Sequence, residues 1–185
     1  WHWRGYGAIE DEAAKNKKST KNMVVEILKD MAVFAENYNV RICTYPHVDT
    51  YCETLTQSVK LAKAVDHPNC GSMLTLCHLL KVEGTKNIDR KIKKSGKYLF
   101  AVTISGADTG NTRDMNWDRL IQPLGQGSFD TYLILEQLWN MDYKGPVGVQ
   151  FFGIKEDAQT VLKSTVTEWY KYRKRYLDAH YHEND

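Results

Sequence analysis

Two histidines carry the first chemical signal in this chain. His47 follows the short apolar run "VRICTYP", and His78 follows "CGSMLTLC". Both runs read as buried strands, and helix-like sequence comes after each. Imidazole changes charge near neutral pH, so a histidine at a strand end can pass a proton or hydrogen-bond a hydroxyl. Two more segments end in polar residues in the same way. "YLFAVTIS" leads into Ser105–Asp108, and "PVGVQ" ends in Gln150. If the strands are parallel, all four ends meet on one face, where α/β folds place their ligands.

Each candidate has a plainer reading. His47 and His78 could be satisfied by backbone groups beneath a loop, or could contact substrate as acid and base. Gln150 is read as an amide that binds a hydroxyl, with a packed polar residue as the alternative. Asp108 lies in a long polar loop, where a solvated role competes with substrate contact. Trp117 offers a flat face for a sugar ring, and equally an anchor for its loop. Lys81 falls one helical turn after His78 and points either to the pocket or to solvent. A histidine acid/base is usually tuned by a nearby carboxylate. Asp108 and Glu83 are the acids considered for that part.

The elements that must position these residues alternate. A helix centred on Thr20–Phe34 has Val24, Ile27, Leu28, Met31 and Phe34 on its expected inward face. A strand over Val40–Thr44 follows, then a helix with Leu55, Val59, Ala62 and Val65 inward. Further strands are expected at Ser72–Leu76, Phe100–Ile104 and Val147–Gln150, with "CGSMLTLC" read as strand throughout. Helices are expected in "GTKNIDRKIKKSG", "FDTYLILEQLWNMDY" and the segment from "EDAQTV" to "DAHY", and a long loop in "GADTGNTRDMNWDRLIQPLGQGS". Nearly continuous apolar strands between helices indicate a parallel sheet. "WHWRGYG" could be the end of a further strand, and residues 1–19 are otherwise expected to be an irregular lead-in to a single domain over 1–185.

Composition narrows the class. The chain has 185 residues, 25 basic and 23 acidic, for a net charge of +2. That balance argues against a nucleic-acid protein. "WYKYRKRY" reads as a solvated helix face. No apolar run reaches the roughly 18–20 residues of a membrane span. No signal peptide pattern is present, so a cytoplasmic location is the expectation if the first residue is native. The four cysteines, Cys43, Cys52, Cys70 and Cys77, form no C-x-x-C pair and are expected as free thiols. A zinc site from Cys43, His47, Cys77 and His78 lacks the usual spacing. In a strand, Cys77 would point away from His78. Neither a dinucleotide fingerprint nor a phosphate loop appears.

"VRICTYPH", "VDHPNCGSMLTLCH", "FAVTISGAD", "PLGQGSFD" and "YKGPVGVQ" occur in an order that resembles the xylose isomerase-like barrel family, the sugar phosphate isomerases and epimerases. The resemblance runs from about Val24 to Val166. It implies a parallel (β/α) TIM barrel, here partial, with about five of the eight units. It also implies a small carbohydrate as ligand. An open part-barrel exposes strand edges, so an oligomer or a missing N-terminal half is expected.

Family members hold one divalent metal with Glu, Asp, His and Glu at four strand ends, and the glutamates move the proton beside the sugar carbonyl. Carried over one residue at a time, the first glutamate falls on Tyr45 and the aspartate on Thr75. The metal histidine falls on Thr103 and the last glutamate on Gln150. His47 and His78 match histidines of the same motifs. Every metal position is therefore substituted, and no tightly held divalent metal or other cofactor is expected. The resemblance implies a sugar isomerase or epimerase with His47 and His78 as acid/base and Tyr45, Thr75, Thr103 and Gln150 toward the substrate. The alternative is a carbohydrate-binding or structural remnant of the barrel without turnover.

Overall fold

The computed structural model describes residues 17–181. It opens with helix α1, Lys18–Glu36, followed by strand β1, Ile42–Thr44. Helix α2, Leu55–Val65, leads to β2, Cys70–Thr75. Helices α3, Leu76–Glu83, and α4, Ile88–Ser95, come next. After β3, Leu99–Ile104, a long loop carries the short helix α5, Trp117–Leu120. Helix α6, Tyr132–Asn140, precedes β4, Val147–Val149, and α7, Ala158–Tyr181, ends the described chain.

The four strands form one sheet in the order β1-β2-β3-β4. Every pairing is parallel. This is the α/β architecture of a partial barrel. Among the described residues there are four strands, and α1 comes before the first of them. The "WHWRGYG" segment lies outside the described residues.

Side-chain alternation divides the sheet. Leu74, Val102 and Ile104 are at most 1% exposed and belong to the main core beneath the helices. Their neighbours Met73, Thr75, Ala101 and Thr103 therefore face the other way, toward the barrel interior. At the opposite end of that inner face, the Phe100 ring lies over Gly71, where an added Cβ would meet the ring at 2.3 Å. Helix α2 is started by a capping box: Thr54 Oγ1 accepts from Gln57 N at 3.1 Å, and Gln57 Oε1 accepts from Thr54 N at 2.9 Å. Its expected inward residues Leu55, Val59, Ala62 and Val65 are all buried.

Two expectations change. Strand β2 ends at Thr75, and Leu76 already begins α3. Cys77 and His78 therefore share the first turn of a helix, and the alternation expected of strand neighbours does not apply. On α1, Ile27, Met31 and Phe34 are exposed at 41%, 38% and 64%, whereas Ala32 is buried, with Val25 and Leu28 packed beside it. The apolar residues of α1 cover more than one face. The core takes only the side that meets Val65, Cys70 and Ile42. Helix α7 carries a second exposed apolar stripe, Leu162, Val166 and Tyr170.

Candidate functional site

The site is built where β1 and β2 run out. Beyond β1 the chain turns sharply, and His47 N donates to Cys52 O at 2.9 Å. Thr50 Oγ1 donates to His47 O at 2.7 Å, with Cys52 O 3.1 Å away. Asp49, the acid nearest His47 in sequence, lies exposed on this turn with φ 61°. Its N–H donates to Glu53 Oε1 at 2.7 Å. The second histidine arrives differently. With no loop between β2 and α3, the first turn of α3 carries His78 directly over the strand end, where it is 6% exposed.

The two imidazoles lie against each other in a tilted arrangement, with centroids 3.9 Å apart and planes at 38°. Tyr45 closes one side, 5.6 Å edge-on to His78 and 6.1 Å from His47. Trp117, carried by α5, closes another with its ring 5.1 Å from His78 at 67°. Lys81 is held beside Trp117, with Nζ 5.7 Å from the ring centroid and donating to Met115 O at 2.6 Å. Tyr45, His47, His78, Trp117 and Lys81 thus form one half-buried cluster of rings and a cation.

Thr75 and Thr103 stand on the inner face next to each other, as register partners of β2 and β3. Both hydroxyl oxygens are buried without a hydrogen-bond partner among the described residues. Opposite Thr103 on β4 is Gly148, which puts no side chain there. Gln150 N donates to Ile104 O at 2.8 Å, and Gln150 Oε1 accepts from Phe152 N at 3.1 Å. Its amide oxygen is turned to its own loop.

Asp108 organises the loop after β3. Arg119 Nε donates to its Oδ2 at 2.9 Å and Ser128 N to its Oδ1 at 3.1 Å. The hydrogen bond from Arg119 comes first, with that of Ser128 beside it, in holding the carboxyl below its usual range. The same loop is drawn tight at Gly127, with φ +84°, where a Cβ would sit 2.1 Å from Ala107 O. This packing fixes α5 and, through it, Trp117. Glu83 is committed elsewhere, in an ion pair with Lys91 at 2.7 Å. All four cysteines are free thiols.

The family's metal is a poor match for this donor set. Tyr45, Thr75, Thr103 and Gln150 offer neutral oxygens, whereas a hard divalent cation requires carboxylates to offset its lost hydration. Among the described residues no group of three or more His, Cys, Asp or Glu is placed to hold a metal. Sequence reasoning missed Val48 and Thr50, which hold His47. A backbone carbonyl leaves no signal in a sequence, but the Asp-Thr pair after His47 is a turn signal that points to the place.

A parallel β/α sheet with its polar cluster at the carboxyl ends of the strands defines a barrel protein of the TIM class. The chain belongs to the xylose isomerase-like TIM barrel family, whose model matches residues 4–171. Among solved structures it is similar to the IOLI protein with a binding zinc atom, at 21% identity and TM-score 0.74, over 90% of this chain and 60% of that one. A D-psicose 3-epimerase with D-tagatose from Clostridium cellulolyticum H10 matches at 21% identity and TM-score 0.67, over 87% and 58%. An L-ribulose 3-epimerase matches at 13% and 0.65, over 91% and 60%. These likenesses bear on the fold. The chain spans about six tenths of the length of these proteins. A search of curated proteins gave no significant match.

Proposed function

We propose that this chain contributes the carboxyl-end site of a sugar isomerase- or epimerase-like protein. In this reading it acts on a small neutral carbohydrate, with His47 and His78 as acid/base and without the usual divalent metal. The observation that supports the reading is the close, tilted His47–His78 pair, with centroids 3.9 Å apart, at the carboxyl ends of β1 and β2. Its rim supports the substrate class. Trp117 and Tyr45 offer ring faces to sugar C–H groups, and the Thr75 and Thr103 hydroxyls suit ligand hydroxyls. The Lys81 ammonium is engaged by Met115 O and the Trp117 face, and the other groups are neutral or titrate as imidazoles, which suits an uncharged ligand.

The test is solvent exchange at carbon. Ketopentoses and ketohexoses are incubated with the protein in D2O, with and without a chelator, and recovered for mass and NMR analysis. Deuterium beside the carbonyl is expected in both conditions, reduced about 100-fold or more in His47→Asn. Absence of exchange with every sugar, or exchange abolished by the chelator, overturns the catalytic reading.

A second reading is a carbohydrate-binding remnant without turnover. What favours it is the engagement of the candidate acids, Asp108 with Arg119 and Glu83 with Lys91. Calorimetric sugar binding with no deuterium uptake would decide for it.

A further inference from the structure

The turn after β1 fixes more than the position of His47. His47 Nδ1 lies 2.6 Å from the carbonyl oxygen of Val48. A carbonyl only accepts, so Nδ1 carries the proton of that bond. In the neutral ring the lone pair is then on Nε2. The carbonyl is itself held in place. The turn is fastened by His47 N on Cys52 O, by Thr50 Oγ1 on His47 O, and by Asp49 N on Glu53 Oε1.

We propose that this turn is a tautomer lock, which keeps the His47 proton on Nδ1 and makes Nε2 the proton-accepting atom of the site, with Thr50 as the positioning residue. The proposal rests on the reading of His47 as acid/base. In that role Nε2 takes the proton from the carbon beside the sugar carbonyl. The electron pair of the broken C–H bond moves into the carbon skeleton, and the negative charge settles on the carbonyl oxygen. The imidazolium keeps its Nδ1–H on Val48 and returns the other proton to carbon, so no further reactant is needed. An unlocked ring would spend part of its time with the proton on Nε2, and that atom could not then accept one.

The lock can be read without any sugar. The full chain is labelled with 15N, and two-bond 1H–15N spectra of the histidine rings are recorded at a pH where they are neutral, with His47→Asn for assignment. A pyrrole-type Nδ1 and a pyridine-type Nε2 are expected for His47. Thr50→Val is expected to draw the two nitrogens toward each other as the tautomers mix, and Thr50→Ser, which keeps the donor, to restore the original pattern. A protonated Nε2 in the unmodified protein overturns the lock. An unmixed Thr50→Val spectrum overturns the role of Thr50. Should Thr50→Val fail to fold, the unmodified spectrum still decides the lock, and Thr50→Ala, which also removes the donor, decides the role of Thr50. A pyridine-type Nε2 in a protein that exchanges no sugar proton would remove the functional reading and support the lock.

Discussion

Thr75 and Thr103 are register partners on adjacent parallel strands, and the hydroxyl of each is buried with no hydrogen-bond partner among the described residues. An unsatisfied buried hydroxyl costs about 1–3 kcal/mol, whereas an apolar group of the same shape carries no such penalty. These hydroxyls therefore weaken the fold unless something binds them. Thr103→Val and Thr75→Val are each expected to leave stability unchanged or raise it by up to ~1 kcal/mol. Each is also expected to weaken sugar binding. Thermal unfolding and titration calorimetry check the two halves. A clear loss of stability in either variant would show that its hydroxyl is already satisfied.

Asp108 gives a pH dependence with a definite sign. Its folded-state pKa lies below the usual 3.8 because Arg119 and then Ser128 hydrogen-bond the carboxylate. A depressed carboxyl contributes stability that is full above its unfolded value and is lost as pH falls through the folded value. The contribution of the β3 loop is thus expected to be constant above about pH 4 and to fade below it. Asp157, also depressed, by Thr160, titrates in the same range. The comparison is therefore between the unmodified chain and Asp108→Asn. The variant should be less stable at neutral pH and lose less on acidification. Equal acid slopes would remove Asp108 from the account.

The strands were legible because their apolar runs stand between helical periods, and the conversion of parallel strands into a shared mouth is a property of the architecture. The end of β2 was not. No Gly, Pro or Asn separates Thr75 from Leu76, so nothing local marks where strand becomes helix, and "TLCH" serves either. Helix α1 was found, but only part of its expected inward face is covered: Leu28 packs on the core, whereas Ile27, Met31 and Phe34 are exposed. Met23, Val24, Val25, Ile27, Leu28, Met31, Ala32, Val33 and Phe34 surround most of its girth, and burial alone selects the face. Helix α5 has four residues, too few for a period to show. In the site, His47 and His78 could be placed at one mouth from the sequence, but their 3.9 Å contact depends on the first turn of α3.

The thiols should be slow to react. Burial pushes Cys52 up to about 12, and Cys70 and Cys77 up to about 11. Cys43, only partly buried, is raised as well, again by desolvation. The thiolate is the nucleophile, so a raised pKa and poor access both suppress reaction. With a disulfide reagent at pH 8, native protein is expected to react slowly, at Cys43 first, and all four thiols to react at once in denaturant. Prompt modification of Cys52 or Cys77 in the native state would show that the β1 and β2 ends open readily.

The two flanks of the sheet give the last prediction. Among the described residues, strands β1 and β4 are the ends of the sheet order, and each has one side without a paired strand. Two helices also carry apolar stripes, Met23, Ile27, Met31 and Phe34 on α1, and Leu162, Val166 and Tyr170 on α7, all of them exposed. Within each stripe the spacing of three or four residues aligns the side chains along one helix face. Open edges and contiguous apolar surface both drive association. The 185-residue chain on its own is therefore expected to self-associate, with a sedimentation coefficient that rises with concentration. Phe34→Lys combined with Tyr170→Lys places a charge in each stripe and should shift the distribution toward monomer with little change in melting temperature, since both side chains are at least 60% exposed. A chain that stays monomeric across the micromolar range would show that the stripes are tolerated in water. A variant that still associates would show that the stripes do not carry the contact.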